Sequence, residues 1–525
     1  MLSVEGLSLS IRGAPVLSEV SFEVRPGEVF GLVGESGSGK SMTALSVMRL
    51  EPRGAEVTGR VVFEGRELLR EPERRMNALR GREVGMIFQE PMTALNPVQT
   101  IGAQVAETLL VHGATDRAGA RAAAEARLAR VGLPPERCPL SRYPHELSGG
   151  QRQRVCIAMA VALRPKLLIA DEPTTALDVT TQAQILDLVR GLVAEEGMSL
   201  MLITHDLAVV SGMADRVAVM KDGRIVEQDA TERLFRGRSH PYTEKLFSDS
   251  AHVPDREPHI RRAPVLEVVG LVREYPGPRK GLIARHAAVR AVDGVDLTVH
   301  AGESVGLVGE SGCGKSTLTR AILGLEGLQG GAVRLEGAPV VAPHVGPEVR
   351  RRMQVVFQDP YGSFNPRHRV DRLVAEPFHL EPVPEAERRD RVAEALEAVG
   401  LKAGDGARFI HEFSGGQRQR IAIARAIVIR PSLVILDEAV SALDVSIRAR
   451  ILDLLAALQG RFRLSYLFIS HDLSVVRAIT DRVLVMKAGR IVEEGATAAV
   501  FDGPEHPYTK ELIAAVPRVP EGWVA

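Results

Sequence analysis

GLVGESGSGKS at Gly31–Ser41 returns almost unchanged as GLVGESGCGKS at Gly306–Ser316. Each copy contains the spacing G-x-x-x-x-G-K-[ST] between a predicted strand and a predicted helix. Glycines in such a loop let the backbone wrap around a polyphosphate, and the N–H groups that open the following helix attract its negative charge. A plain glycine-rich turn is the alternative, but two copies in matched context argue against it. The stretch therefore predicts a phosphate-binding loop in each half.

Five further segments recur in the same order in both halves, which indicates that a whole domain is duplicated. The copies are IFQEP (Ile87–Pro91) and VFQDP (Val356–Pro360), HELSGGQRQR (His145–Arg154) and HEFSGGQRQR (His411–Arg420), LLIADEPTTALDVT (Leu167–Thr180) and LVILDEAVSALDVS (Leu433–Ser446), ITHDL (Ile203–Leu207) and ISHDL (Ile469–Leu473), and HPYT (His240–Thr243 and His506–Thr509). From the SGGQ segment onward the offset between copies is constant. The differences in length therefore fall in the loops before it.

The seam between the halves sets the predicted domain boundaries. SDSAHVPDREPHIRRAP, which ends just before the new strand at Leu266, is polar, contains prolines and lacks periodicity, as linkers do. We predict a first domain over residues 1–247, a linker over 248–265 and a second domain over 266–525.

The order of predicted elements is the same in both halves. Alternating strands come first, and a helical, Ala- and Arg-rich stretch follows the glycine-rich loop; apolar strands then alternate with helices. The predicted elements are front strands at Val20–Val24 and Val292–Val299, helical stretches at Ile101–Val131 and Val370–Val399, and apolar strands at Leu167–Ala170 and Leu433–Leu436. This order predicts an α/β fold with a mostly parallel sheet, an antiparallel layer and a helical subdomain.

Composition excludes several classes of protein. The chain has 525 residues, too many for one core, and its 66 Lys+Arg balance its 66 Asp+Glu, so no general attraction to nucleic acid is expected. The cysteines Cys138, Cys156 and Cys313 do not have the paired spacing of metal ligands, so we expect neither a disulfide framework nor a zinc site. This pattern fits a reducing cytoplasm. We expect no secretory signal and no membrane-spanning segment. A membrane role would therefore need partner subunits.

An acid pair ends an apolar strand in each half, at Asp171–Glu172 and Asp437–Glu438. Adjacent acids at a buried strand end are costly unless a cation uses them. In a phosphate-loop enzyme the first acid holds Mg²⁺ and the second accepts a proton from the attacking water. The alternative, a solvated strand cap, is weak beside the glycine-rich loop.

The segment SGGQ identifies a family resemblance. LSGGQ (Leu147–Gln151) and FSGGQ (Phe413–Gln417), each followed by QRQR and then by the acid pair, resemble the signature of ATP-binding-cassette (ABC) ATPases. The resemblance implies two tandem P-loop NTPase cassettes, each with a RecA-like core, an antiparallel β-subdomain and an α-helical subdomain. It also implies that each signature caps the ATP bound to the other half, so that the SGG of the second half serves Lys40 and that of the first serves Lys315.

The resemblance implies ATP and Mg²⁺ as ligands and assigns a role to each matching residue. The expected catalytic residues are Glu172, Glu438, the switch histidines His205 and His471, and the Q-loop glutamines Gln89 and Gln358. The expected Mg²⁺ ligands are Ser41, Gln89, Asp171, Ser316, Gln358 and Asp437. The expected nucleotide-binding residues are Gly34, Glu35, Ser36, Gly37, Ser38, Gly39, Lys40, Ser41, Met42, Ser148, Gly149, Gly150, Gln151, Asp178, Tyr275, Gly309, Glu310, Ser311, Gly312, Cys313, Gly314, Lys315, Ser316, Thr317, Ser414, Gly415, Gly416, Gln417 and Asp444.

Two departures from the family pattern make the halves unequal. Tyr275 takes the place of the aromatic residue that usually stacks on adenine, whereas the first half offers Ile11 there. Pro173 follows the first acid pair, and Ala439 follows the second. Because Glu438 is present, we expect both sites to hydrolyse ATP.

The segments ALNP and SFNP after the Q-loop glutamines, together with HPYT, resemble the oligopeptide and dipeptide importer ATPases. HPYT alone could be an ordinary helix start. Substrates of that group include peptides, glutathione and nickel. The implied partners are two transmembrane permease subunits and an extracytoplasmic binding protein, with the ATPase peripheral on the cytoplasmic face of the inner membrane and without nucleic acid.

Three other functions fit the sequence less well. A tandem ATPase acting on ribosomes or DNA would carry a long charged linker, an inserted coiled coil or zinc cysteines, and the sequence predicts none of them. An exporter is disfavoured because exporters commonly fuse cassettes to membrane helices. A regulatory ATP sensor with little turnover conflicts with the intact Glu172, Glu438, His205 and His471.

Overall fold

The computed structural model describes residues 1–175, 177–256, 263–277, 288–359, 362–441 and 443–523. The chain divides into two compact units. The first consists of Met1–Leu177, Thr181–Ala251 and Pro517–Ala525, and the second of Asp178–Thr180 and His252–Val516. Of the predicted linker, residues 257–262 lie outside the described residues.

The first half alternates strands and helices, as predicted. Its elements are β1 (Leu2–Ile11), β2 (Ala14–Val24), β3 (Val29–Val33), α1 (Lys40–Met48), β4 (Ala55–Phe63), β5 (Arg66–Glu67), α2 (Glu73–Leu79), β6 (Val84–Ile87), α3 (Pro91–Ala94), α4 (Ile101–Val111), α5 (Arg117–Arg130), α6 (Gly149–Ala160), β7 (Leu167–Asp171), α7 (Val179–Glu196), β8 (Ser199–Thr204), α8 (Leu207–Met213), β9 (Arg216–Lys221), β10 (Arg224–Ala230), α9 (Thr231–Gly237) and α10 (Pro241–Ser250).

The second half repeats this order. Its elements are β11 (Pro264–Pro276), β12 (Ala288–His300), β13 (Ser304–Val308), α11 (Lys315–Ile322), β14 (Gly330–Leu335), β15 (Ala338–Pro339), α12 (Pro347–Arg352), β16 (Met353–Val356), α13 (Val370–Val374), α14 (Glu385–Ala398), α15 (Gly415–Ile427), β17 (Leu433–Asp437), α16 (Val445–Phe462), β18 (Ser465–Ile469), α17 (Leu473–Ile479), β19 (Arg482–Lys487), β20 (Arg490–Ala496), α18 (Thr497–Asp502) and α19 (Pro507–Ala514).

A six-stranded sheet forms the centre of each unit, in the order β10-β9-β3-β8-β7-β6 in the first and β20-β19-β13-β18-β17-β16 in the second. Only the outermost hairpin of each sheet is antiparallel. Side chains on both faces of the parallel strands are buried, because layers cover both faces. Along β7, Leu167 and Ile169 join one hydrophobic core, while Leu168 and Ala170 join another. The prediction of a mostly parallel α/β core is confirmed.

The antiparallel layer is a four-stranded sheet in each unit, in the order β2-β1-β4-β5 and β12-β11-β14-β15. The predicted front strands form part of β2 and β12. One face of this sheet supplies Leu7, Val20 and Phe63 to the core that also contains Ile169 of β7. Its alternating burial agrees with a sheet that is covered on one face only.

The predicted helical subdomain is also present. In the first half α4, α5 and α6 pack on one another, and Thr100 and Asp116 cap the first two of these helices by accepting hydrogen bonds from backbone N–H groups. The corresponding stretch Val370–Val399 is interrupted between α13 and α14, where Pro377, Pro382 and Pro384 lie. Proline lacks an N–H group, so one continuous helix cannot form there.

Within the described ranges, no helix combines the length and the apolar character needed to cross a bilayer. The three cysteines are free and buried.

Candidate active site

The carboxyl ends of the parallel strands bring the predicted motifs of each half to one edge of its sheet. In the first unit the glycine-rich loop follows β3, Gln89 follows β6, Glu172 follows β7 and His205 follows β8. Ligands of open α/β sheets bind at this edge. The fold therefore gathers residues that lie far apart in the sequence.

Each glycine-rich loop passes so close to the rest of its unit that a side chain on its first glycine would collide with the backbone there. A Cβ added to Gly34 or Gly309 would meet the carbonyl oxygen of Met220 or Met486. Gly39 and its counterpart Gly314 are the N-caps of α1 and α11, with φ of 102° and 114°. A glycine N-cap carries no side chain that could occupy the helix N-terminus, which leaves the first-turn N–H groups to an incoming anion.

Both lysines of the glycine-rich loops are buried, and each donates hydrogen bonds to carbonyl oxygens at the start of its own loop. The Lys40 Nζ donates hydrogen bonds to the carbonyl oxygens of Gly34 and Glu35, both at 2.8 Å. The Lys315 Nζ donates to those of Gly309 at 2.6 Å and Glu310 at 2.9 Å. A buried ammonium group held in a ring of backbone dipoles is suited to binding a polyphosphate.

The first acid of each pair has the environment of a cation ligand. Asp171 ends β7 and accepts a hydrogen bond from the Ser41 Oγ at 3.0 Å. Burial raises its pKa to about 6, and burial likewise raises the pKa of Asp437. In the first half this buried carboxylate beside a hydroxyl oxygen supplies the hard oxygen ligands that Mg²⁺ prefers, so the residues present there fit this ion.

The second acid of each pair occupies a strained position. Glu172 and Glu438 have φ of 47° and 51°, in the left-handed region that non-glycine residues rarely adopt. Their N–H groups donate to the carbonyl oxygens of Ile203 and Ile469 at 2.9 and 2.8 Å. Such strain persists where the surrounding structure over-determines it, and it is concentrated at functional sites.

Three side chains hold the Glu172 carboxylate. The Thr175 Oγ1 donates to it at 2.8 Å and the Gln89 Nε2 at 3.2 Å, and the His205 Nδ1 lies 3.3 Å away. Burial alone would raise the pKa of Glu172, but the contacts with His205 and Thr175 and the charge of Lys40 outweigh it and lower the pKa to about 2. The carboxylate is therefore ionised at neutral pH, in the form that accepts a proton.

The Glu438 carboxylate is held by fewer groups. The His471 Nδ1 lies 3.2 Å away, and its contact overcomes the effect of burial and lowers the pKa of Glu438. The Ser441 Oγ donates instead to the backbone oxygen of Glu438, at 2.9 Å. Among the described residues, neither Ser441 nor Gln358 donates to this carboxylate. The two halves thus position their glutamates differently.

This difference predicts unequal effects of two small substitutions. Thr175→Val keeps the shape of the side chain but removes a hydrogen bond to a charged group, so we expect the ATP turnover number to fall about fivefold. Ser441→Ala is the matched control, and we expect its turnover number to stay within about twofold of the native value. Phosphate release measures both. Equal losses in the two variants would contradict a special role for Thr175.

The signature segments lie at exposed helix starts. Ser148 and Gln151 form a reciprocal capping box at α6, with N···O distances of 3.3 and 3.0 Å, and the Ser414 N–H donates to the Gln417 side chain at 3.0 Å. A Cβ on Gly150 would lie 2.5 Å from the Thr181 side chain. Glycine at this position therefore leaves room for the Thr181 side chain beside the start of α6. The predicted role of the signature segments in capping ATP stays a prediction.

The remaining predicted residues lie as follows. Tyr275, at the end of β11, is half-buried; the Arg273 guanidinium lies over its ring at 4.6 Å, and its hydroxyl donates to the Glu326 carboxylate. Its predicted contact with adenine stays a prediction. Asp178 belongs to the second unit and accepts a hydrogen bond from the Ser311 N–H at 3.3 Å. Asp444 is the N-cap of α16.

Sequence reasoning missed two tyrosines that contact the glycine-rich loops. The HPYT segments do begin helices: His240 and His506 cap α10 and α19 by accepting from the N–H groups of Tyr242 and Tyr508 at 3.1 Å. Each tyrosine hydroxyl also accepts a hydrogen bond from the second residue of its loop. The recurrence of HPYT in both halves was the signal that could have found them.

Comparisons with known proteins agree with this geometry. The family model "ABC transporter" matches residues 17–175 and 292–441, and "Oligopeptide/dipeptide transporter, C-terminal region" matches 226–267 and 492–524. The chain is 48% identical over 527 residues to the "Peptidoglycan transport ATP-binding protein YejF" of Agrobacterium fabrum, covering 98% of this chain and 96% of that relative. It is 44% identical over 558 residues to the "Glutathione import ATP-binding protein GsiA" of Salmonella paratyphi A, covering 98% and 89%.

Among solved structures, CbiO1 from Clostridium perfringens, described as part of the ABC transporter complex CbiONQ, aligns with 27% identity and a TM-score of 0.41. The alignment covers 46% of this chain and 92% of that chain.

Proposed function

Because this chain belongs to the ABC transporter family, we propose that it binds and hydrolyses ATP to energise a peptide-type importer, with one catalytic site on each glycine-rich loop. The observation that carries the proposal is the same constellation in both halves: a buried loop lysine, an acid at the strand end whose pKa is raised by burial, and an ionised glutamate beside a histidine. In the proposed domain arrangement, residues 1–247 and 266–525 each form one cassette.

Each proposed step is assigned to residues of this chain. Lys40 and Lys315 bind the β- and γ-phosphates of ATP together with the loop N–H groups. Ser41, Gln89 and Asp171 would hold Mg²⁺ in the first half, and Ser316, Gln358 and Asp437 in the second, where the ion would neutralise phosphate charge. Glu172 and Glu438 accept the proton of the water that attacks the γ-phosphorus, and ADP and phosphate leave.

The histidines assist this step from a fixed position. His205 lies against one oxygen of Glu172, and His471 lies in the same way against Glu438. In this position each histidine orients its glutamate and leaves the side of the imidazole opposite Nδ1 to contact the γ-phosphate. The signature serines Ser148 and Ser414 would complete the sites of the opposite halves, as the family resemblance implies.

The substrate class is proposed from the oligopeptide-type C-terminal regions. Both halves match that family model. The relatives are named for peptidoglycan transport and glutathione import, and these names support a proposed cargo among peptides and glutathione-like molecules. We further propose two permease subunits and an extracytoplasmic binding protein as partners, with this chain held at the cytoplasmic face of the inner membrane.

Reconstitution in lipid vesicles tests this proposal. We expect the chain, combined with the permease subunits proposed as its partners, to hydrolyse ATP several-fold faster when the binding protein is supplied with a mixture of short peptides or with glutathione. The rise should disappear when the permeases are left out. The importer proposal would be overturned if the rate of ATP hydrolysis did not change with the permeases and the binding protein but rose with ribosomes or DNA. That result would favour a soluble tandem ATPase.

A further inference from the structure

Each HPYT tyrosine makes a hydrogen bond that a helix start does not require. The Tyr242 hydroxyl accepts from the Glu35 N–H at 3.3 Å, and the Tyr508 hydroxyl accepts from the Glu310 N–H at 3.0 Å. Both tyrosines are buried, with 6% and 2% of their surface exposed. The same contact forms in both units between segments about 200 residues apart.

The N–H group that the tyrosine holds shares a peptide unit with a carbonyl oxygen that accepts from the loop lysine. The Glu35 N–H and the Gly34 carbonyl belong to the same planar peptide unit and point in opposite directions. Fixing the N–H on Tyr242 therefore aims the Gly34 oxygen at the Lys40 Nζ, which donates to it at 2.8 Å. In the second unit Tyr508 acts through Gly309 in the same way.

The tyrosine ring packs against a lysine, and a carboxylate holds the start of its helix. The Lys221 Nζ lies 5.0 Å from the centre of the Tyr242 ring, and the Glu227 carboxylate accepts from the N–H groups of Ser239 and His240 at 2.8 and 3.2 Å. Burial, the largest influence, raises the pKa of Tyr242 to about 12, so its hydroxyl stays neutral.

The second unit repeats every one of these contacts. The Lys487 Nζ lies 4.3 Å from the centre of the Tyr508 ring. The Glu493 carboxylate accepts from the N–H groups of Glu505 and His506 at 2.8 and 3.1 Å. Burial also raises the pKa of Tyr508.

A second contact holds the opposite end of each loop. The Gly223 N–H, in the turn between β9 and β10, donates to the Ser38 oxygen at 3.0 Å, and the Gly489 N–H donates to the Cys313 oxygen at 2.8 Å. In each unit the tyrosine and this turn hold the loop, and neither belongs to the residues assigned to the phosphates. A loop fixed in this way needs little reorganisation to bind ATP.

We infer that Tyr242 and Tyr508 are positioning residues of the two nucleotide sites, through which the oligopeptide-type C-terminal region of each half sets the affinity of its own cassette for ATP. The inference rests on the proposed function, since it concerns the same two sites. It assigns the HPYT segment a role in nucleotide binding as well as in starting a helix.

The test replaces each tyrosine with phenylalanine in the full chain. Tyr242→Phe, Tyr508→Phe and the double variant keep the ring and lose only the hydroxyl. In the double variant we expect the KM for ATP to rise about fivefold, with kcat within about twofold of the native value, because one hydrogen bond that orients the loop is lost. Binding of a fluorescent ATP analogue should weaken by a similar factor.

Tyr466→Phe is the matched control. Tyr466 is 1% exposed, and its hydroxyl donates to the Leu455 oxygen at 3.0 Å in the core of the second unit. This variant should lower the melting temperature of the nucleotide-free chain and leave the KM for ATP unchanged. If the HPYT variants behave like Tyr466→Phe, with a lower melting temperature and a native KM, the inference is overturned.

Two further outcomes are informative. Should the double variant fail to fold, the single variants, each with one loop intact, carry the same measurement of KM and analogue binding, and native values in both would overturn the inference. A native chain without ATPase activity would instead contradict the proposed function, so the two failures are distinguishable.

Discussion

The double variant Glu172→Gln/Glu438→Gln is expected to hydrolyse ATP at least about 100-fold more slowly than the native chain. An amide has the size of a carboxylate, but it cannot accept the proton of the attacking water. Both glutamates are ionised and rest against a histidine, so removal of their charge removes the proposed base without altering the loop. Phosphate release at saturating ATP measures the loss.

The single variants separate the two sites. Each is expected to lower the turnover of the whole chain, because we predict that both sites hydrolyse ATP. Binding of ATP should persist in every one of these variants, since the loop lysines are untouched. If one single variant keeps native turnover, its site is not catalytic, and the prediction of two active sites is wrong.

Removal of the loop lysines is expected to have the second large effect. In Lys40→Met/Lys315→Met the buried ammonium groups that we propose to bind the phosphates are lost, and we expect the affinity for ATP to fall about 100-fold. The loss is measured as the difference in melting temperature with and without ATP. ATP with Mg²⁺ should raise the melting temperature of the native chain but not that of the variant, because only a ligand that binds the folded state stabilises it.

Lys166→Met provides the matched control for this experiment. Lys166 is a half-exposed lysine whose Nζ pairs with Glu64 at 2.9 Å. Surface ion pairs contribute little stability, so this variant should keep both its melting temperature and its response to ATP. A normal ATP-induced shift in the double lysine variant would contradict the assignment of these lysines to the phosphates.

Much of the fold follows from the sequence because its signals are local. The glycine-rich loops, the apolar strands and the helical stretches are periodic over short windows, and duplication presents each signal twice. Both predicted helical stretches consist of shorter helices: Ile101–Val131 contains α4 and α5, and Val370–Val399 contains α13 and α14 with three prolines between them. Proline has a local effect, and the sequence contained enough information to find this break.

The parts of the site that the sequence did not reveal depend on a side-chain conformation in one case and on a contact between distant segments in the other. Thr175 and Ser441 occupy equivalent positions and carry the same hydroxyl group, but one donates to the glutamate side chain and the other to a backbone oxygen. Tyr242 reaches Glu35 across 207 positions in the chain. No local pattern encodes either contact, because rotamers and tertiary packing decide both.

The left-handed backbone at Glu172 and Glu438 also has a cost in the free energy of folding. That conformation costs a residue other than glycine about 1 kcal/mol or more. Glycine or asparagine would occupy both positions with less strain. A glycine at either position would relieve this strain and remove the carboxylate as well. Under the proposed function, the backbone strain at each strand end is a folding cost that accompanies the proposed catalytic carboxylate.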